Sequence, residues 1–319
     1  SDFEDYSSVN GWNVEDHTQK LYYGHEKTLN KNIMIATWQS ASKLSNEFFA
    51  QFDTVIVDEC HLCRANVMST MLQKCINANY RIGLTGTLDG TRTHKLVVEA
   101  LTGPVLKVAS TKELIDKNIL SKLNININLL FYGKEAREQC KGIKYPEEIQ
   151  YLISNKTRNE YIINLAKSLT GNTLILYQYV DKHGAELYSL AQTTLEKDRP
   201  LFYVHGGIDA EYRENVRTET EKSNNAVIIA SLGTFSTGIS IKKLHNIIFA
   251  SPSKGRIRVL QSIGRQLRKS DDKLVAQLYD IIDDLSHKSS KNYSLKHGLE
   301  RIKIYTEEQF DYKITKYNI

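Results

Sequence analysis

The sequence predicts an α/β fold built from two parallel-sheet blocks in tandem. Three observations carry that expectation. Short β-rich runs alternate with helical patterns in both halves, as parallel strand–helix–strand units require. The run Thr54-Val55-Ile56-Val57 leads straight into Asp58-Glu59-Cys60-His61, so a buried strand would deliver two carboxylates and an imidazole to its carboxyl end. That end is where open parallel sheets hold ligands. Finally, 319 residues with 41% hydrophobic side chains fit two medium domains better than one.

The first block contains Ile33-Met34-Ile35-Ala36-Thr37, the 54–57 strand and Tyr80-Arg81-Ile82-Gly83-Leu84-Thr85. A helix over 65–78 joins the last two, with Val67, Met71 and Leu72 inward. The second block opens on Ile125-Asn126-Ile127-Asn128-Leu129, whose alternation predicts an edge strand. Strands follow at 173–177, 202–204, 226–230, 246–250 and 274–282, the last either one more strand or a strand flowing into a turn at Asp283-Asp284, with helices over 159–169 and 183–195 between them. The polar stretch 108–122 separates the blocks, giving domains 1–112 and 113–319. Beyond Asp284 comes a tail rich in lysine and tyrosine; Leu295, Leu299, Ile302 and Tyr305 fall at helical spacing there and should pack on the second domain.

Composition narrows the function. No stretch approaches the roughly 18–20 apolar residues of a membrane span. Ser1 to Asp5 lack the basic and apolar regions of a secretory signal, so a cytoplasmic protein away from membranes is expected. The net charge of +5 permits a polyanionic partner without demanding one. Cys60 and Cys63 have C-x-x-C spacing, but no second ligand pair follows, so the four cysteines read as small buried thiols.

Asp58-Glu59 suits nucleoside triphosphate hydrolysis: one carboxylate holds a hydrated Mg²⁺ and its neighbour positions the attacking water. Leu84-Thr85-Gly86-Thr87 ends the next strand with two hydroxyls around a glycine, able to relay contacts between sites. In Gln261-Ser262-Ile263-Gly264-Arg265-Gln266-Leu267-Arg268, a helix would place Gln261, Arg265 and Arg268 on one face, with Leu260, Ile263 and Leu267 docked on the sheet. Guanidinium groups so fixed suit a γ-phosphoryl group; a solvated helix touching only DNA phosphates is the plainer alternative. The segment Ser231 to Ser240 carries hydroxyls and glycines after a strand, apt for phosphates and equally apt for an ordinary loop. Thr37-Trp38-Gln39-Ser40 stands in a similar place, with Trp38 expected in the core.

With these segments in this order, the chain resembles the superfamily-two helicases, and within them the recombination helicases of tailed phages. Asp58-Glu59-Cys60-His61 resembles motif II (the Walker B box), 84–87 motif III, 35–40 the DNA-contacting motif of the first domain, 236–240 motif V and 261–268 motif VI. The resemblance implies two RecA-like domains, the first incomplete at its N-terminus, and an ATP-dependent DNA helicase using ATP and Mg²⁺. It implies action on forked or branched DNA, as a monomer, in a bacterial or phage-infected cytoplasm. Asp58 and Glu59 would hold Mg²⁺ and the water. His61, Gly238, Arg265 and Arg268 would line the nucleotide, with Gln261 in support. Thr37, Gln39, Ser40, Thr85, Thr87, His205, Gly206, Ser231, Thr234 and Thr237 would serve the nucleic acid. Two departures stand out. No G-x-x-x-x-G-K-[ST] loop occurs, so a fragment with little ATPase activity of its own is expected, and Ser240 stands where many relatives carry aspartate. A non-hydrolysing nucleic-acid-binding module, with Lys254, Arg256, Arg258 and the basic tail as its surface, is one alternative. The translocating subunit of a restriction or remodelling complex is another.

Overall fold

The computed structural model describes residues 11–21, 29–64, 66–86, 88, 91–238, 241–251, 263–264 and 275–319. The chain divides into two compact units, Ser1–Leu106 and Lys107–Ile319.

In the first unit, strands β1 (Thr18–Leu21) and β2 (Ile33–Ala36) pair in parallel, and so do β3 (Thr54–Val57) and β4 (Tyr80–Gly83). Val55 packs against both small cores of this unit: one holds Leu21, Ala41, Phe49 and Cys75, the other Cys60, Cys63, Leu72 and Val98. Only one face of the β3–β4 ribbon is covered in this way. On the other, Ile56 is 61% exposed, and Tyr80, Ile82 and Leu84 are exposed too. The expectation of a buried strand at 54–57 is therefore corrected: a strand's side chains alternate between faces, and here one face has no layer over it among the described residues. The connecting segment is a 3₁₀ turn, Cys60–Arg64, followed by a helix, Asn66–Lys74. Met71 and Leu72 turn inward as expected, while Val67 is exposed.

Among the described residues the second unit holds a seven-stranded, wholly parallel sheet. Its strands are β5 (Lys122–Phe131), β6 (Thr173–Tyr177), β7 (Leu201–Val204), β8 (Val227–Ser231), β9 (Asn246–Phe249), β10 (Val275–Asp284) and β11 (Tyr312–Asn318), in spatial order β11-β5-β10-β9-β6-β8-β7. Helices cover both faces, so β6, β8 and β9 are buried throughout, and their sequences run apolar without alternation. Alternate residues still serve different cores. Leu174 and Leu176 join one with Val216, Phe235 and Tyr305; Ile175 and Tyr177 join the other with Leu152, Ile162 and Leu187.

Two expectations change here. The strand containing 125–129 is not at the edge, because β11 adds outside it, pairing Tyr312 with Ile125. The basic tail supplies that strand; Lys313 and Lys316 sit on it as charges that blunt an open edge. The tail also forms the helix Tyr293–Glu307, in which Tyr305 is buried, Leu295 and Ile302 pack on the core, and Leu299 faces outward. Gly298 lets this helix press onto β10: a Cβ there would lie 2.5 Å from Ile282 Cγ2.

Strand β10 does not turn at Asp283-Asp284 but runs through them, and it carries two buried aspartates. Arg158, from the helix Lys156–Ser168, donates to Asp283 through Nε (2.7 Å) and Nη2 (3.1 Å) and to the Ala250 carbonyl at 2.8 Å. Tyr132 also donates to Asp283, at 2.9 Å. Arg301, from the helix Tyr293–Glu307, grips Asp280 at 2.7–3.0 Å, and Tyr305 donates to the same carboxylate. Glu148 is buried as well; its carboxylate caps that helix by accepting from the Tyr293 and Ser294 amides and from Asn292.

Removing one partner of such a pair strands a buried charge. Asp283→Ala should lower unfolding free energy by about 3–5 kcal/mol in urea titrations, and Arg158→Met with Asp283→Leu should recover most of that loss. Burial, and secondarily the Arg158 charge, pushes the His183 imidazole down to about 3. The unfolded chain therefore takes up a proton below about pH 6.5 that the folded chain refuses until near pH 3. The stability held by neutral His183 is complete above pH 6.5 and is lost as pH falls through that window. Urea midpoints measured from pH 7 to pH 4 should fall more steeply for the native chain than for His183→Gln.

Candidate functional site

The β-branched run of β3 carries the chain to its carboxyl end, where a tight turn replaces the strand. Glu59 takes a left-handed backbone, φ 53°, and its amide donates to Asp58 Oδ1 at 2.9 Å. For a residue with a Cβ this conformation costs roughly 1–2 kcal/mol, so neighbouring contacts must hold it. They come from β4. The Leu84 amide donates to the Val57 carbonyl at 2.8 Å, and the Cys60 amide to the Leu84 carbonyl at 2.9 Å. Gly83 permits the approach, since a Cβ there would stand 2.9 Å from Cys60 Sγ and from Thr102 Oγ1.

This stitching brings the two predicted motifs of the first unit together. His61 Nδ1 lies 3.1 Å from a Glu59 carboxylate oxygen and 3.0 Å from Thr85 Oγ1. A carboxylate can only accept, so the Glu59 contact places the proton on Nδ1. Burial lowers the His61 pKa; Glu59 opposes that shift and His94 adds to it, which leaves the ring neutral at pH 7. His94 Nε2 meets the His61 carbonyl at 2.7 Å from the buried side of the helix Arg92–Thr102, a contact between residues 33 apart that no local pattern signals. Asp58 is exposed and Glu59 half-exposed, so both carboxylates are open to a ligand. Among the described residues no group of three or more His, Cys, Asp or Glu could hold a metal. A hydrated Mg²⁺ that arrives with its own phosphate ligands fits the donor set, because it needs only one or two carboxylates. Cys60 and Cys63 are buried thiols, and burial pushes Cys63 up to about 11.

Also in the first unit, Thr37 precedes the short helix Trp38–Ala41 and donates to Ser40 Oγ at 3.0 Å. Thr37 and Gln39 are exposed. Trp38 is 42% exposed, which corrects its expected place in the core; the helix buries only Ala41.

In the second unit, four predicted residues meet at the carboxyl ends of the adjacent strands β7 and β8. Ser231 closes β8; its Oγ lies 2.7 Å from Thr234 Oγ1 and accepts from the Thr234 amide, opening the helix Leu232–Gly238. Both hydroxyls are buried. Across from them, Gly206 is exposed and lies against Thr234, within 3.9 Å of a built Cβ. His205 tilts against Tyr203 at 5.1 Å. Thr237 and Gly238 form the last turn of that helix. Thr87, Ser240, Lys254, Arg256, Arg258, Gln261, Arg265 and Arg268 lie outside the described residues. No helix among the described residues is long and apolar enough to cross a membrane.

Comparison with known proteins supplies the context. Residues 2–90 match the family "Type III restriction enzyme, res subunit", and residues 157–270 match the helicase conserved C-terminal domain. The ATP-dependent DNA helicase uvsW of Enterobacteria phage T4 is 33% identical over 300 residues, which cover 90% of this chain and 59% of that protein. The crystal structure of T4 UvsW superposes with a TM-score of 0.54 at 31% identity, covering 99% of this chain and 64% of that one. Saccharomyces cerevisiae Dbp5, bound to RNA and ADP BeF3, shares the fold at a TM-score of 0.60 and 11% identity, covering 99% of this chain and 73% of that one. The chain thus spans about three-fifths of the T4 protein.

The electrostatics at the acidic corner yield a direct test. Because Glu59 holds the His61 pKa up, Glu59→Gln should move it further down, read from the imidazole shifts in an NMR titration between pH 4 and pH 8. An unchanged or higher value would place Glu59 away from the ring.

Proposed function

Because the chain belongs to the superfamily-two helicases, we propose that it carries the motor of an ATP-dependent DNA helicase acting on recombination and replication intermediates, forks and four-way junctions above all. The single observation behind this reading is the constellation at the end of β3 and β4, where Glu59, His61 and Thr85 join in one hydrogen-bonded line beside an exposed Asp58. In this reading Asp58 carries the hydrated Mg²⁺ of ATP and Glu59 orients the attacking water. His61 and Thr85 sense the state of that water and pass it toward the nucleic acid. Arg265 and Arg268, supported by Gln261, supply positive charge to the γ-phosphate, and Gly238 lies beside the nucleotide. Thr37, Gln39, Ser40, Thr87, His205, Gly206, Ser231, Thr234 and Thr237 serve one nucleic-acid strand. Cycles of ATP binding and hydrolysis that alter grip on that strand would then drive movement.

The match of residues 2–90 to a restriction-enzyme subunit favours a second reading, a translocating subunit that works with partner domains. One experiment addresses both. ATP hydrolysis is measured on the protein encoded by the complete reading frame, with linear, forked and four-way DNA. The helicase reading expects turnover stimulated by DNA and most by branched DNA; equal stimulation by long linear duplex favours the translocase. Glu59→Gln and Arg268→Ala should each reduce turnover by at least about a hundredfold. Unchanged turnover in both variants rejects these roles.

A further inference from the structure

Residues 285–299 contain three lysines, two histidines and no acid, the most one-sided charge run among the described residues that the reading above leaves unused. The segment leaves the carboxyl end of β10. It makes a tight turn in which His287 and Ser290 exchange backbone hydrogen bonds of 3.1 and 3.0 Å. Lys288 occupies the tip of that turn with a left-handed backbone, φ 54°. Lys288, Ser289, Ser290 and Lys291 are all exposed, and the helix Tyr293–Glu307 then begins. Lys296 sits one turn into it, its ammonium 5.4 Å from the centre of the Tyr293 ring.

Neighbouring elements extend the patch. Tyr145 packs edge-on against Tyr293 at 5.7 Å and against His297 at 5.2 Å. Lys182, from the turn after β6, reaches Gln150 on the helix that Tyr145 begins. Most nearby acids are committed to backbone amides: Glu148 to Tyr293 and Ser294, Glu147 to Lys144, and Asp284 to Ser286. The exposed acids of this surface are Asp181 beside Lys182, Glu147 at the start of its helix and Glu300 one turn beyond Lys296. The lysine side chains of the turn and helix start remain exposed to a ligand, with Lys288 and Lys291 separated from the nearest acids in the chain, Asp284 and Glu300, by Leu285 to His287 and Asn292 to Leu299.

We infer that this turn and helix start, with Lys288, Lys291 and Lys296 as its charges and Lys182 beside them, form a second nucleic-acid contact that grips the phosphate backbone of a duplex arm. This rests on the helicase reading and extends it. The position fits, because the patch and the residues His205, Gly206, Ser231 and Thr234 occupy the same carboxyl edge of the sheet. Three strand spacings separate β10 from β8 and four separate it from β7, roughly 14 and 19 Å at about 4.8 Å per strand. The charges favour backbone over bases: Tyr293, though 39% exposed, is already partnered by Lys296 and by Tyr145. Lysines act here as point charges on phosphates.

The test uses the complete protein, fluorescein-labelled forked duplex and the matching single strand, with affinities measured by anisotropy over a range of salt concentrations. For Lys288→Ala/Lys291→Ala/Lys296→Ala, binding to forked duplex should weaken at least tenfold. The slope of log K against log salt should become shallower by about 2–3, near 0.9 for each lost phosphate contact. Single-strand affinity and the circular dichroism spectrum should be unchanged. Lys288→Ala/Lys291→Ala, which leaves the Lys296–Tyr293 contact in place, should give an intermediate loss. Unaltered duplex affinity and slope, or equal losses on duplex and single strand, overturn the inference. So does binding of polyglutamate as tight as that of duplex, which would assign the patch to an acidic protein. Failure of the helicase reading looks different, since there even the native protein shows no ATP hydrolysis stimulated by DNA.

Discussion

The second unit is organised by one constraint: among the described residues, all seven strands of its sheet run the same way. Parallel neighbours cannot be joined by tight turns, so each connection must cross over a face, and both faces become covered. Every strand then discharges its chain at the same edge. This is why His205 and Gly206 after β7 lie beside Ser231 and Thr234 after β8, although about 25 residues separate the pairs in the chain. It is also why the lysine-rich turn after β10 opens on that edge. No single side chain creates this convergence; it is a property of strand direction.

Covering both faces creates a second problem, solved on β10. A strand in the middle of such a sheet ought to be apolar, yet Asp280 and Asp283 are buried in it. Each is neutralised by an arginine from a helix, Arg158 for Asp283 and Arg301 for Asp280. Tyr132 and Tyr305 complete the acceptor demand. Desolvation offsets much of the Coulomb attraction, so such pairs add less to stability than their distances suggest. Their geometric effect is large. Arg158 also holds the Ala250 carbonyl, just before the segment that carries Gln261, Arg265 and Arg268. The exits of β9 and β10 are thereby tied to one guanidinium.

In the first unit the corresponding device is the strained Glu59. A left-handed residue with a Cβ is tolerated there because β4 binds both sides of the turn and Gly83 yields the space. The strain turns the carboxylate back toward His61, where a relaxed strand would have sent successive side chains to opposite faces.

Local chemistry made much of this legible. Strand 173–177 is found where its apolar run placed it, and the strands near 202, 227, 246 and 275 lie within a residue or two at their starts. Thr85, expected to relay contacts between sites, lies 3.0 Å from His61, which also meets Glu59. Elsewhere the same local patterns misled. Ile56 has the composition of a buried residue, Trp38 of a core aromatic and Leu299 of an inward helix position, yet all three are exposed. The run 312–318 looked like part of a basic tail and is a strand. By itself, then, the sequence determined the type and chain order of the apolar central strands and the chemical identity of the acidic corner, because these depend on neighbours a few residues away. Tertiary structure alone decided which strand closes the sheet, which faces are covered and which arginine meets which aspartate. Those outcomes depend on groups brought together from 21 to 187 residues apart, whose proximity no local pattern encodes.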